Sequence, residues 1–334
     1  MTRTPNPTSA ASNGNHPRAL APSRRALLGG AAGAVAAVAL TTGAAAGADR
    51  RGAAATWPSD FPLPNGFLPE GITIGNSPYA YLGSRANGAI YRADLRTGEG
   101  EVISEGATGL VSVGLKLDRD GLLYVAAGST GAARVVDART GSVLTTHQLT
   151  STTGHFINDV VLLGDRAWFT DSLDAVLYGV PRGGGGTGEV RALPLTGDWV
   201  QTPGVNNANG VVGTPDGRAL IVVSSSPGRL YRVDLDSGHA TEISLTGQAD
   251  VANGDGLFRI GRTLYVVQNR LNLISVWDLN SGATAATLRT TLTNPLFDIP
   301  TTAARWGNRL YLVNARFTTT QTPETTFNVV TVTI

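Results

Sequence analysis

Four oxygen-bearing side chains stand just ahead of short apolar runs: Glu70 in PEGITI, Asn158 in INDVVLL, Asn209 in ANGVV and Asp255 in GDGLF. A buried strand has no reason of its own to begin with a carboxylate or an amide, because such groups are costly to take out of water without a partner. Val113 and Thr301 belong to the same series, whose successive members are 43 to 51 residues apart. If the six positions converge, two carboxylates and two amides face one another across a narrow space. Like charges raise each other's pKa, and desolvation adds to that. A divalent cation would remove the cost. Spacing alone fits a polar, water-filled channel equally well. The composition of the set points to an ion, and donors made only of oxygen suit Ca2+, with Mg2+ or Mn2+ as alternatives, rather than Zn2+ or copper.

Convergence requires a repeat, and the chain has one. Apolar strands ending in small or polar residues recur as YAYLGS, LLYVAAG, RAWFTDS, ALIVVSSS, TLYVVQN and RLYLVNARF. Strands running into tight turns recur as IYRADLRTG, RVVDARTG, LYRVDLDSG and SVWDLNSG. This pattern predicts an all-β fold, a six-bladed β-propeller of four-stranded antiparallel blades around a central channel. The first strand of each blade lines that channel, so the six strand starts meet near one end of it. Residues 67–334 form the propeller. The last strand, FNVVTVTI, belongs to blade six, and the stretch around 56–63, within residues 49–66, is expected to add an outer strand that closes the ring. The longest unit carries PRGGGGTG in its outer turn. No Lys-Ser/Thr follows, so it is read as a surface hairpin and not as a phosphate-binding loop. The single Trp277-Asp278 dipeptide is read as a strand aromatic followed by a turn aspartate.

Bulk composition sets the outer limits. The 334 residues are 42% hydrophobic and 15% charged, enough for a sizeable core. A net charge of +1 gives no basis for a nucleic-acid partner. The chain has no cysteine, which excludes both disulfides and a lipoprotein anchor. Residues 1–22 are polar. Ser23-Arg24-Arg25, Leu27-Leu28, an Ala/Gly-rich stretch and the small-residue site ending at Ala48 follow. This resembles a twin-arginine export signal with cleavage after Ala48. The expected product is secreted or extracytoplasmic and keeps no stable membrane span.

At the four strand starts the chain resembles the SMP-30/gluconolactonase/LRE group of six-bladed propellers, and more distantly the calcium-dependent paraoxonase-type lactonases, over roughly residues 66–334. PEGI at 69–72, INDVV at 157–161, ANGVVGTPDGRALIV at 208–222 and GDGLF at 254–258 carry the likeness. The resemblance implies that Glu70, Asn209 and Asp255 are metal ligands and that Asn158 is a ligand or a substrate contact. It also implies that Asp255 is the catalytic acid/base. Members that open sugar lactones usually carry an arginine two residues before the third-blade asparagine; here that residue is Phe156. With Val113 at the second-blade position, the bowl is more apolar than a sugar-acid lactone would favour. Paraoxonase-type enzymes use a histidine near their metal, which makes His155 a second catalytic candidate. Asp159 and Asp171 either orient the ligands or make ordinary turn hydrogen bonds. Arg316 either reaches the rim or, the favoured reading, pairs with an acidic neighbour.

Two functions of different class follow. One is metal-dependent hydrolysis of a small lactone or ester, with Phe156, Val113 and Asn158 contacting the substrate. The other is a secreted binding or scaffolding propeller whose ion is structural or absent.

Overall fold

The computed structural model describes residues 56–183 and 187–334. The expected export signal and its cleavage point lie outside them, as do Gly184–Gly186 of the outer hairpin. Six antiparallel sheets form the blades of a propeller. Their inner strands are Pro69–Ile74, Leu115–Leu117, Ile157–Leu163, Ala208–Gly213, Gly254–Ile260 and Pro300–Trp306. Each inner strand touches the next, and the last touches the first. Among the described residues no helix is long and apolar enough to cross a membrane.

The second and third strands of each blade are largely buried on both faces, because each face meets a neighbouring blade, while the outer strands are more exposed. The core is accordingly divided into six clusters, one between each pair of blades. Ile72 and Leu82 of blade 1 pack on Tyr311, Val313 and Phe327 of blade 6. Ile221 and Val223 of blade 4 pack on Leu264 and Trp277 of blade 5. Each such side chain stabilises by about 1.5–3 kcal/mol when buried, so no single blade is stable without its neighbours. Trp277 is fully buried and donates through Nε1 to Ser275 Oγ at 2.8 Å. Asp278 pairs outward with Arg289. Aspartates 94, 137 and 234 accept backbone N–H groups two or three residues on, which fixes their turns.

Blade 6 is built from two distant parts of the chain. Asp60–Leu63 pairs antiparallel with Phe327–Thr333, with Leu63 opposite Phe327. Phe61 and Leu63 thereby join the cluster that seals blade 6 against blade 1. Blades 4 and 5 have five strands where four were expected. Thr196-Gly197 adds in parallel to His239-Ala240, and Ser244–Thr246 adds in parallel to Ala285–Thr287. These short connections cover outer edges that would otherwise offer unpaired backbone groups.

Candidate functional site

Five of the six inner strands share one local irregularity. Pairing with the second strand slips between Pro69 and Ile72, Ile157 and Val160, Ala208 and Val211, Gly254 and Leu257, and Pro300 and Ala303. Each slip leaves two residues out of the ladder, as in a β-bulge, and bulges re-aim side chains. The first of each pair is Glu70, Asn158, Asn209, Asp255 or Thr301. In three of these blades the second is glycine, Gly71, Gly210 or Gly256, and Gly114 follows Val113 in blade 2, because at those places the next blade comes too close for a side chain. A Cβ on Gly210 would lie 2.2 Å from the Asp255 carbonyl oxygen, and one on Gly256 would lie 2.1 Å from Thr302 Oγ1.

The backbone carbonyls at these bulges are taken up by neighbouring blades. Thr301 Oγ1 donates to Glu70 O at 2.6 Å, Gly114 N to Asn158 O at 2.8 Å, and Thr170 Oγ1 to Asn209 O at 2.8 Å. The side chains therefore carry the chemistry. Glu70, Val113, Asn158, Asn209 and Asp255 meet at the floor of a cavity of about 730 Å³, and Phe156 stands in its wall. Thr301, bonded to the Glu70 backbone, does not line it.

In blades 3, 4 and 5 a partner at the end of the second strand orients the axial side chain from within its own blade. Asn158 Nδ2 donates to Ser172 Oγ at 2.8 Å, and Asn209 Nδ2 to Ser225 Oγ at 3.0 Å. Asn269 Nδ2 donates to Asp255 Oδ2 at 2.6 Å. The two serines hand their own protons to Ala208 O and Gly254 O, so they act as acceptors for the amides. Fixing each amide by its nitrogen sets the direction of its oxygen. Asn158 Oδ1 is buried and has no hydrogen-bond partner, which calls for a bound water or ion.

The carboxylates are strained electrostatically. Burial, then the charges of Asp255 and Asp159, hold Glu70 well above the usual carboxylate range. Burial pushes Asp255 up to about 7, against hydrogen bonds from Asn269 and Asn209 that pull it down, while the Asp159 charge adds to the rise. Among the described residues no three His, Cys, Asp or Glu side chains gather as a metal-ligating group. The donor set is two carboxylates and two amides. It fits a hard divalent cation on three counts: like charges that need neutralising, an amide oxygen without a partner, and ligands of oxygen alone.

Four residues named from the sequence lie outside the cavity lining. His155 does not line the cavity. Its Nδ1 is 2.7 Å from Asp171 Oδ2 and its Nε2 is 2.9 Å from Thr150 Oγ1, so both ring nitrogens are engaged. Asp171 is fully buried and accepts from the backbone of Phe156 and Leu173; it shapes the loop that holds Phe156. Asp159 accepts from Val160 N at 2.8 Å and orients no ligand side chain among the described residues. Its own carboxyl is raised, chiefly by burial. Arg316 pairs with Asp298 at 2.8 Å.

No known protein family's sequence profile matches the chain, and no curated protein matches it either. Solved structures do. The major allergen Mala s 1 of Malassezia sympodialis superposes with a TM-score of 0.65 at 14% identity, over 83% of this chain and 96% of the allergen. A luciferin-regenerating enzyme follows with 0.58 at 14%, over 81% and 93%. A calcium-binding regucalcin of Agrobacterium tumefaciens gives 0.56 at 18%, over 83% and 95%. At these identities the likeness establishes the propeller fold. The neighbours include members of the group that the strand-start motifs resemble.

Sequence reasoning missed Ser172, Ser225, Asn269 and Arg85, the residues that follow the last paired position of a second strand. The signal was present: those strands end in small or polar residues at every repeat, 14 to 16 residues after the axial position. If the serine sets the amide, Ser172→Ala is expected to weaken divalent-ion binding about tenfold, the lower range for loss of a residue supporting a ligand. Calorimetric titration of Ca2+ into the variant and the parent checks this. Unchanged affinity would mean that Asn158 is held by something else.

Proposed function

We propose that the protein is an exported hydrolase that opens lactones or simple esters at an axial divalent ion, with Ca2+ the first choice and Mg2+ or Mn2+ as alternatives. One observation carries the reading: a buried Glu70 and Asp255 share a cavity floor with two amides whose nitrogens are tied down. Glu70, Asn158, Asn209 and Asp255 would hold the ion. A divalent cation so held would polarise a substrate carbonyl and stabilise the negative charge that develops on its oxygen.

The chain's own groups supply the rest. Asp255 is placed to take the proton of the attacking water at its carboxylate and to return it to the leaving alkoxide oxygen as the ester bond breaks. Asn269, bonded to Asp255 Oδ2, holds that carboxylate in one orientation. Phe156 and Val113 form an apolar wall against which a substrate body packs and from which water is excluded. With both nitrogens of His155 engaged, the base role falls to Asp255 alone.

Titration of Ca2+ into ion-stripped protein tests this directly, with Mg2+ and Mn2+ in parallel. One bound ion per chain, followed by ion-dependent turnover on a panel of lactones and esters, is the expected result. Silence with all three ions would sink the catalytic reading and leave a secreted binding propeller, which the apolar Phe156 wall also suits.

A further inference from the structure

One charged group in the cavity is explained neither by the ring nor by the axial cluster. Arg85 follows Ser84 at the end of blade 1's second strand, the place that Ser172, Ser225 and Asn269 occupy in blades 3, 4 and 5. Those three bond to their own blade's axial side chain; Arg85 does not bond to Glu70. Among the described residues no carboxylate pairs with it. Its guanidinium lines the cavity and lies over the Phe317 ring, 4.8 Å from the centroid.

Phe317 is held for that contact. It belongs to the connection after Arg309–Asn314, which is stitched by Arg316 Nη1 to Thr326 O at 2.7 Å, Gln321 Nε2 to Arg316 O at 2.9 Å and Thr325 Oγ1 to Thr320 O at 2.9 Å. Gly66 N bonds to Thr325 O at 2.8 Å and ties the connection to the approach of blade 1.

Neutralising the axial carboxylates is not enough to explain Arg85. Its pull on Glu70 is outweighed by burial and by the charges of Asp255 and Asp159. Once a divalent cation balances Glu70 and Asp255, and with Lys116 opposing the charge of Asp159, Arg85 remains as surplus positive charge, with the exposed Arg270 also in the cavity lining. A guanidinium whose carbon lies over an aromatic ring still has N–H groups available for a two-point bond to a carboxylate. Leu68, Val113, Phe156 and Phe317 give the cavity an apolar wall, and its volume suits a drug-sized ligand more than a lone small ring.

We infer that Arg85, stacked on Phe317, is a specificity-determining residue of this cavity and that its ligand is a lactone or ester carrying a carboxylate on an apolar body. The inference rests on the proposed function for the lactone or ester part, and on the cavity's own charges for the carboxylate.

The test measures binding of 6-oxoheptanoate and 6-oxoheptanamide to the full chain by calorimetry, with saturating Ca2+ and again in chelator. A ketone replaces the ester, so nothing turns over. The carboxylate is expected to bind at least about tenfold more tightly than the amide. Arg85→Gln should shrink that preference to less than about twofold while leaving Ca2+ affinity unchanged or tighter, since a repelling charge has been removed. Phe317→Leu, which keeps the loop apolar, should give an intermediate preference. Equal affinities in the parent, or a preference that survives Arg85→Gln, overturns the inference; the second result would mean that the ion holds the carboxylate. If Ca2+ proves silent while the Arg85-dependent preference stands, the hydrolase reading falls and the anionic ligand class remains.

Discussion

Asp255→Asn is expected to make the ion-free protein more stable and the working protein worse. The side chain keeps its shape and its oxygen can still accept from Asn269, while the amide nitrogen that replaces the other oxygen cannot accept from Asn209, a smaller loss that offsets part of the gain. The larger change is charge. A folded-state pKa of about 7 against an ordinary 3.8 corresponds to on the order of 4 kcal/mol of penalty for ionised Asp255 above neutral pH. Asparagine removes that penalty, so chemical denaturation at pH 8 in chelator should show the variant gaining stability. Ca2+ affinity should fall by more than the 10- to 100-fold that loss of a merely supporting residue costs. Turnover should fall by about 10²- to 10⁴-fold, the range for losing a general acid–base. The opposed directions make the result diagnostic. A residue that only hydrates a channel would show the gain in stability without the loss of ion binding, and a residue important for packing would show a loss in both.

The same opposition explains what was legible in the sequence. The blades were legible because apolar strands must recur wherever a sheet is covered on both faces, and PEGI, INDVV, ANGVV and GDGLF stood out as polar breaks in that pattern. Spacing placed Glu70, Asn158, Asn209 and Asp255 on equivalent strand starts, and they do share one cavity floor. Direction was not legible. His155 is three residues from Asn158, but the bulge turns Asn158 into the cavity while Asp171 draws His155 away from it. Arg85 has no repeat partner of its own type, since its counterparts are two serines and an asparagine; the offset from the axial position varies from 14 to 16 residues, and the strand register is what fixes the equivalence. The fifth strands of blades 4 and 5 are two or three residues long and pair in parallel, below the length at which alternation can be read.

Stability of the ion-free protein is expected to fall as pH rises from about 4 to about 7, and Ca2+ should cancel that fall. Glu70, Asp159 and Asp255 all have folded-state values above their ordinary ones. The folded chain therefore binds more protons than the unfolded chain in that window, and stability decreases with pH. The contribution is fully present below about 4 and lost once pH passes the folded value, about 7 for Asp255. Turn aspartates 94, 137, 216 and 234 are shifted the other way, held low mainly by hydrogen bonds from neighbouring side chains and backbone N–H groups. Their share is lost as pH falls below about 4, so the ion-free optimum lies on the acid side, near the ordinary carboxylate pKa. An ion held at the proposed site would reverse the upper limb, because it would bind only the ionised carboxylates and only the folded chain. At about 1,000 times its Kd a ligand adds about 4 kcal/mol, comparable with the Asp255 penalty alone. Urea midpoints at pH 4.5, 6 and 8, with chelator and with saturating Ca2+, decide the matter. A fall that persists unchanged in Ca2+ would place the ion away from these carboxylates. A flat ion-free profile would mean that water already solvates them, as in a plain polar channel.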